Sequence, residues 1–175
     1  MVGVGGVVIR VNRALLIRRG TEPLKGEWSI PGGLLELGET IAEGVRRELL
    51  EETGLEVKVI ELIEVFERIF PASPPEGSDT STARAETHLG QSAVEVTAVV
   101  PAQTEPVSTL HQGPLYHFVI LDYLCEALDG EPHAGGDVTD VAFATEEELE
   151  RFCLTPTATR VVRTAFALAR ARSNA

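Results

Sequence analysis

The stretch Gly33–Leu55 constrains this chain more than any other. A loop, Gly33-Leu34-Leu35-Glu36-Leu37-Gly38-Glu39, runs into a segment where Ile41, Ala42, Val45 and Leu49 recur at helical spacing. Thr40 is placed to cap that segment, Glu43 three residues later completes a capping box, and Gly54 follows as the residue that ends a helix in the left-handed region. The spacing predicts a helix over 40–53. On it Glu48, Glu51 and Glu52 stand at i, i+3 and i+4, which puts all three carboxylates on one face. Stacking like charges costs about 0.2–0.5 kcal/mol per exposed pair, and more when buried. A helix shaped only by stability would avoid this. A metal site would use it, because hard divalent cations take several carboxylate oxygens. Arg47 lies beside the three and can pair with Glu39, tying the loop to the helix. Gly33 and Gly38 let the loop bend so that backbone carbonyls also face a cation. A bare Glu-x-x-Glu-Glu is more often a solvated acidic face, so the decision rests on the whole pattern.

That pattern reads Gly33, five residues, Glu39, seven residues, then Arg47-Glu48-Leu49-Leu50-Glu51-Glu52-Thr53-Gly54-Leu55. It resembles the Nudix box with every fixed position filled. The lead-in Trp28-Ser29-Ile30-Pro31-Gly32-Gly33 is similar to that of many Nudix hydrolases. On these residues the chain is identified as a member of the Nudix hydrolase (MutT-like) family. The resemblance is specific for residues 26–55, extends to 1–70 and 115–155, and is absent from 71–114. A proline beyond the box, as in ADP-ribose pyrophosphatases of the family, has its counterpart in Pro71, which also opens a proline-rich loop.

The resemblance implies an α/β/α sandwich with a mixed sheet and Mg²⁺ (or Mn²⁺) as cofactor. It implies hydrolysis of the pyrophosphate bond in a nucleoside diphosphate linked to another moiety, with ADP-ribose to AMP and ribose 5-phosphate as first substrate. Carried over by position, Glu48, Glu51 and Glu52 are the metal ligands and catalytic carboxylates, with Glu52 the ligand shared between ions. The Gly33 carbonyl joins the metal ligands, and Glu39 and Arg47 orient the site. Asp137, in the turn Gly135-Gly136-Asp137-Val138-Thr139-Asp140, is the candidate for a further ligand or general base. Glu76, Glu86 and Glu95 remain rivals. One alternative is a pyrophosphohydrolase of (oxidised) nucleoside triphosphates. Another, of a different class, is a non-catalytic nucleotide-binding Nudix module.

Charge narrows the partners. The formal net charge is −12, which argues against duplex nucleic acid or an anionic membrane, since both need a basic footprint. It leaves room for a small nucleotide whose phosphates are held through cations. The acid is concentrated: residues 31–70 carry ten Glu against four Lys/Arg, whereas 1–30 carry five Lys/Arg against two Glu. Arg18, Arg19 and Lys25 are the cations nearest the acidic segment and can meet a phosphate. Trp28, Tyr116 and Phe118 can stack on a base or belong to the core. His88, His111, His117 and His133 show no ligand spacing. Cys125 and Cys153 are expected to be free and buried. No apolar run is long enough for a transmembrane helix. Met1–Gly6 has neither a charged n-region nor a cleavage site, so a cytoplasmic protein is expected. A homodimer stays open.

The rest of the chain reads as strands around that helix. Val4–Val11 and Ala14–Ile17 form a hairpin over an Asn12-Arg13 turn, and Trp28–Ile30 is a short extended piece stopped by Pro31-Gly32-Gly33. Glu56–Phe66, Tyr116–Cys125 and Val138–Ala144 are strands, the second apolar on both faces and therefore central. Thr145-Glu146-Glu147-Glu148 opens a helix to Phe152, and Thr155-Pro156 opens the last one, with Val161, Val162, Ala165, Phe166 and Ala169 toward the core. Residues 71–114 hold six of the ten prolines and no Lys. They read as a loop-rich insertion with a strand at Ala93–Val100. The expectation is one α/β (α+β) domain over 1–175.

Overall fold

The computed structural model describes residues 1–22, 24–70, 114 and 116–174. The elements are β1 (Val2–Arg10), β2 (Arg13–Arg19), β3 (Trp28–Ser29), β4 (Gly32–Leu34), α1 (Ile41–Thr53), β5 (Glu56–Phe70), β6 (Tyr116–Asp129), β7 (Val138–Ala144), a 3₁₀ turn at Leu149–Phe152 and α2 (Pro156–Ser173). The chain divides into two compact units, Met1–Ile69 with His117–Ala175, and Phe70–Tyr116. Apart from Pro114, the insertion expected at 71–114 lies outside the described residues. With it go Pro71, Glu76, Glu86, Glu95, His88, His111 and the strand expected at 93–100.

The sheet runs β3-β2-β1-β6-β5, with β4 paired to β1 and β7 to β2. β1 and β6 are parallel, and β2 and β4 run antiparallel to β1. The sheet is therefore mixed, and its central strands must be apolar on both faces. One face packs Val4, Val8, Leu15 and Cys125 against Val45 and Leu49 of α1. The other packs Val7, Leu16 and Leu124 against Val161, Val162, Ala165 and Phe166 of α2. Phe166 is fully enclosed, a burial that contributes about 1.5–3 kcal/mol. The result is the α/β/α sandwich expected from the sequence.

Helix α1 begins as its capping box dictates. The Thr40 hydroxyl accepts from the Glu43 N–H, and the Glu43 carboxylate accepts from the Thr40 N–H at 2.7 Å. It ends at Gly54 with φ 70°, where a β-carbon would run into the His133 ring. Helix α2 starts at Pro156, capped by the Thr155 hydroxyl.

Four local expectations need correction. The hairpin turn is Val11-Asn12, both left-handed at φ 50° and 57°, because Arg10 pairs with Arg13 across a two-residue turn. Gly32 and Gly33 do not merely stop a strand; with Leu34 they form β4, whose pairing partner lies far away in sequence. The helix expected from Thr145 is a turn followed by a four-residue 3₁₀ segment. Cys153 turns left-handed there, and the residue before Pro156 must be extended. Both cysteines are free, but only Cys125 is buried; Cys153 is exposed.

Val11 is a β-branched residue held left-handed and 89% exposed. That conformation costs such a residue about 1–2 kcal/mol. Val11→Asn removes most of the strain and no packing, so a urea denaturation midpoint higher by about 1 kcal/mol of stability is expected. An unchanged midpoint would mean the turn is unstrained.

Candidate functional site

The three box glutamates share a face of α1 but not a surrounding. Glu52 is 6% exposed, and its Oε2 accepts the Gly32 N–H at 2.8 Å. Burial pushes its carboxyl up to about 8; the Gly32 N–H opposes this, the Glu48 and Asp137 charges add to it, and Arg19 lowers it. Glu48 is half-buried and also raised by burial, against the pull of Arg47. Glu51 projects into solvent, with a side chain 56% exposed.

Arg47 organises the loop around them. Its guanidinium forks onto Glu39, at 3.1 Å from Nε and 2.6 Å from Nη2. It also donates to the Leu34 carbonyl at 2.9 Å, to Glu48 at 2.8 Å and to Glu51 at 3.4 Å. The Arg47 fork, joined by the Glu36 N–H, holds the Glu39 carboxyl below its ordinary range. One bidentate pair thus fastens the loop to the helix.

The glycines of β4 make room for the acids. A β-carbon on Gly33 would lie 2.5 Å from Oε1 and 2.7 Å from Oε2 of Glu48, so any side chain there displaces that carboxylate. Gly32 presents the N–H that Glu52 uses, and its own β-carbon would strike the β1 backbone at Val4.

A loop from the far end of the chain closes the other side. The His133 N–H donates to the Thr53 carbonyl and the Gly135 N–H to the Glu52 carbonyl, both at 3.0 Å. This brings Asp137 near enough to Glu52 for its charge to be felt. Asp137 is held twice: its Oδ2 accepts from the Thr21 hydroxyl at 2.6 Å, and its carbonyl accepts the Gly20 N–H at 2.8 Å.

The structure therefore gathers Gly33, Glu39, Arg47, Glu48, Glu52 and Asp137, with Arg19 close enough to act on Glu52. Arg18 is instead tied to its own loop through the Gly26 carbonyl. Trp28 packs edge-on against Phe152, ring centres 5.0 Å apart, on the α2 side of the sheet. His117 pairs with Glu67. Among the described residues, no three acidic, His or Cys side chains converge as they stand on a point that could hold an ion. Glu48 and the more exposed Glu51 share the Arg47 guanidinium, and Glu52 accepts from Gly32. The donor set still suits a divalent cation: a buried and a half-buried carboxylate over a side-chain-free turn, with Glu51 on the same helix. Three participants escape sequence reading, namely the Gly32 N–H, Thr21 and His133. Each acts through a partner on another element and leaves no local pattern.

The family model for the NUDIX domain matches residues 1–165. The chain belongs to the NUDIX family. Two curated relatives match over part of the chain. One is an ADP-ribose pyrophosphatase from Methanocaldococcus jannaschii, 48% identical over 65 residues, covering 37% of this chain and 38% of that protein. The other is a MutT-like protein from Streptomyces ambofaciens, 52% identical over 66 residues, covering 37% of this chain and 41% of that protein. The matched stretch thus spans about two-fifths of either relative's length. In fold, the NUDIX chain is similar to a MutT NUDIX hydrolase from Burkholderia pseudomallei, with a TM-score of 0.61 at 22% identity over 93% of this chain and 95% of that one. No described helix is long and apolar enough to cross a membrane.

Proposed function

We propose that this NUDIX chain hydrolyses the pyrophosphate bond of a nucleoside diphosphate joined to a second moiety, in a reaction that depends on Mg²⁺. ADP-ribose is the first substrate, giving AMP and ribose 5-phosphate. The observation that carries the proposal is the pair of enclosed carboxylates, Glu48 and Glu52, set over the glycine turn of β4. A buried acid, Glu52, beside a half-buried one, Glu48, opposes folding unless something cationic offsets the charge. Arg47 reaches only one of the two. Glu48, Glu51 and Glu52, with the Gly33 carbonyl, are the groups that would hold Mg²⁺ or Mn²⁺. When bound, such an ion lowers the pKa of water and screens phosphoryl oxygens.

The chain's own residues supply the rest. Asp137 is anchored through Oδ2 by Thr21, which leaves Oδ1 directed by a rigid mount and suited to take a proton from water or add a ligand. Arg47 and Glu39 keep the loop at a set distance from the helix, and Arg19 lends positive charge beside the acids. The ADP-ribose assignment is supported by the name of the Methanocaldococcus jannaschii relative. The second reading that the box resemblance leaves open is cleavage of (oxidised) nucleoside triphosphates to the monophosphate and pyrophosphate.

A product-resolved assay separates these. ADP-ribose, ADP-sugars, dinucleoside polyphosphates and (d)NTPs are incubated with protein in Mg²⁺ and in EDTA. AMP and ribose 5-phosphate from ADP-ribose, lost in EDTA and restored by Mg²⁺, is the expected result. Cleavage confined to triphosphates would establish the second reading. Nucleotide binding without cleavage of any substrate would make the chain a binding module.

A further inference from the structure

The face of the sheet opposite α1 holds an acid that the site above does not use. Asp122 sits in the middle of β6 and is 5% exposed. It has no hydrogen-bond partner among the described residues. Burial pushes its carboxyl up to about 7, with the nearby Glu64 charge adding to this. No fully enclosed side-chain nitrogen or oxygen among the described residues lacks a partner, so the Asp122 oxygens keep an accessible edge. Glu64 itself is occupied by Arg160 of α2, at 2.6 Å.

The register shows what that edge faces. Asp122 lies beside Gly5 of β1, and Gly5 lies beside Gly32 of β4. Ladder partners point to the same face, so Gly3, Gly5 and Gly32 form a floor without side chains, with Ile120 and Asp122 along one side and Leu34 at the other. A β-carbon on Gly5 would collide with Asp122 Oδ1, so the carboxylate lies over the glycine floor. Glycine inside a strand weakens it and commonly marks a close approach of backbone or ligand. An unpartnered buried acid adds a desolvation penalty. The paired strands β1 and β6 carry both, the glycine on one and the acid on the other, while Val4, Val7 and Val8 of β1 are ordinary core.

We infer that Asp122 is a specificity-determining residue that accepts a hydrogen bond from the nucleoside part of the substrate, laid over the Gly3–Gly5–Gly32 floor. The donor is an N–H of the base or an O–H of the ribose. Two strand spacings, about 10 Å, separate Asp122 from Gly32, whose N–H touches Glu52 on the other side of the turn. A nucleoside diphosphate whose phosphates meet Glu48 and Glu52 and whose chain bends around β4 spans that length. The inference rests on the nucleotide reading of the box and adds to it what selects the nucleotide.

The test does not need turnover. Wild type, Asp122→Asn and Asp122→Leu are compared by thermal melting, then titrated calorimetrically in Mg²⁺ with AMP, GMP, CMP, UMP and ribose 5-phosphate. The leucine variant is expected to melt at or above wild type, because it removes a buried unpaired acid. It should bind the preferred nucleotide about tenfold or more weakly and flatten the preference among bases. Unchanged binding of ribose 5-phosphate assigns the donor to the base; a matching loss assigns it to the sugar. Equal affinities in wild type and Asp122→Leu, or a lower melting temperature in both variants, would overturn the inference. So would wild-type protein that binds none of the four nucleotides. Protein that binds them selectively and cleaves nothing removes the hydrolase reading and leaves this one standing.

Discussion

Glu52→Gln lowers turnover by orders of magnitude and leaves the fold intact. The amide oxygen can still accept the Gly32 N–H that Glu52 now accepts at 2.8 Å, so β4 keeps its tie to α1. What disappears is a charge at the point where Glu48, Asp137 and Arg19 also act. A divalent cation held there loses a ligand charge, and phosphoryl transfer loses its main source of transition-state stabilisation. The stability of the variant gives an independent readout. The Glu52 carboxyl is raised from 4.5 to about 8 in the folded protein. A group raised in this way favours the folded state most fully below its unfolded pKa, and that contribution is lost as pH rises through the folded value. In EDTA, wild type should therefore lose stability relative to Glu52→Gln between about pH 4.5 and 8, with the curves closest at the acid end. Parallel curves would show that Glu52 is not buried as described. Near-wild-type turnover in the variant would remove Glu52 from the proposed metal ligands.

How much of this was legible in the sequence follows the range of the interactions. The box helix was legible to within one residue, because the Thr40–Glu43 capping box, the apolar stripe and Gly54 all act within a few turns of one another. The central place of β6 was legible from its apolar run. Yet that run conceals Asp122, whose meaning appears only when the parallel register sets it beside Gly5. β4 was illegible because three residues, two of them glycine, carry no strand signal; β1 supplies the reason for it. The turn was misplaced by one residue, since Val11 is a poor left-handed residue and only the Arg10–Arg13 register forces it there. Asp137 could be nominated from the sequence. Its support could not, because Thr21 lies 116 residues away.

Arg47→Ala is the variant that separates the loop from the helix. The guanidinium serves three carboxylates and the Leu34 carbonyl at once. Its side chain is 22% exposed, and those of Glu39 and Glu48 are 15% and 12%. These pairs are partly covered by the loop, and water screens them in part. Truncation leaves Glu39 and Glu48 without the guanidinium they share, so stability is expected to fall. Burial already raises Glu48 against the opposing pull of Arg47; without that pull its carboxyl rises further and holds a cation less well. Activity should fall about ten- to a hundredfold, the usual loss when a group that orients metal ligands is removed, with a raised Mg²⁺ requirement. Arg47→Lys should recover charge but not the fork onto Glu39, and so should restore less than half of the lost stability. A double-mutant cycle with Glu39→Gln isolates the fork: if the two losses simply add, Arg47 and Glu39 act separately and the loop is held by something else. Losses that clearly fail to add place the joint between loop and helix at that single bidentate pair.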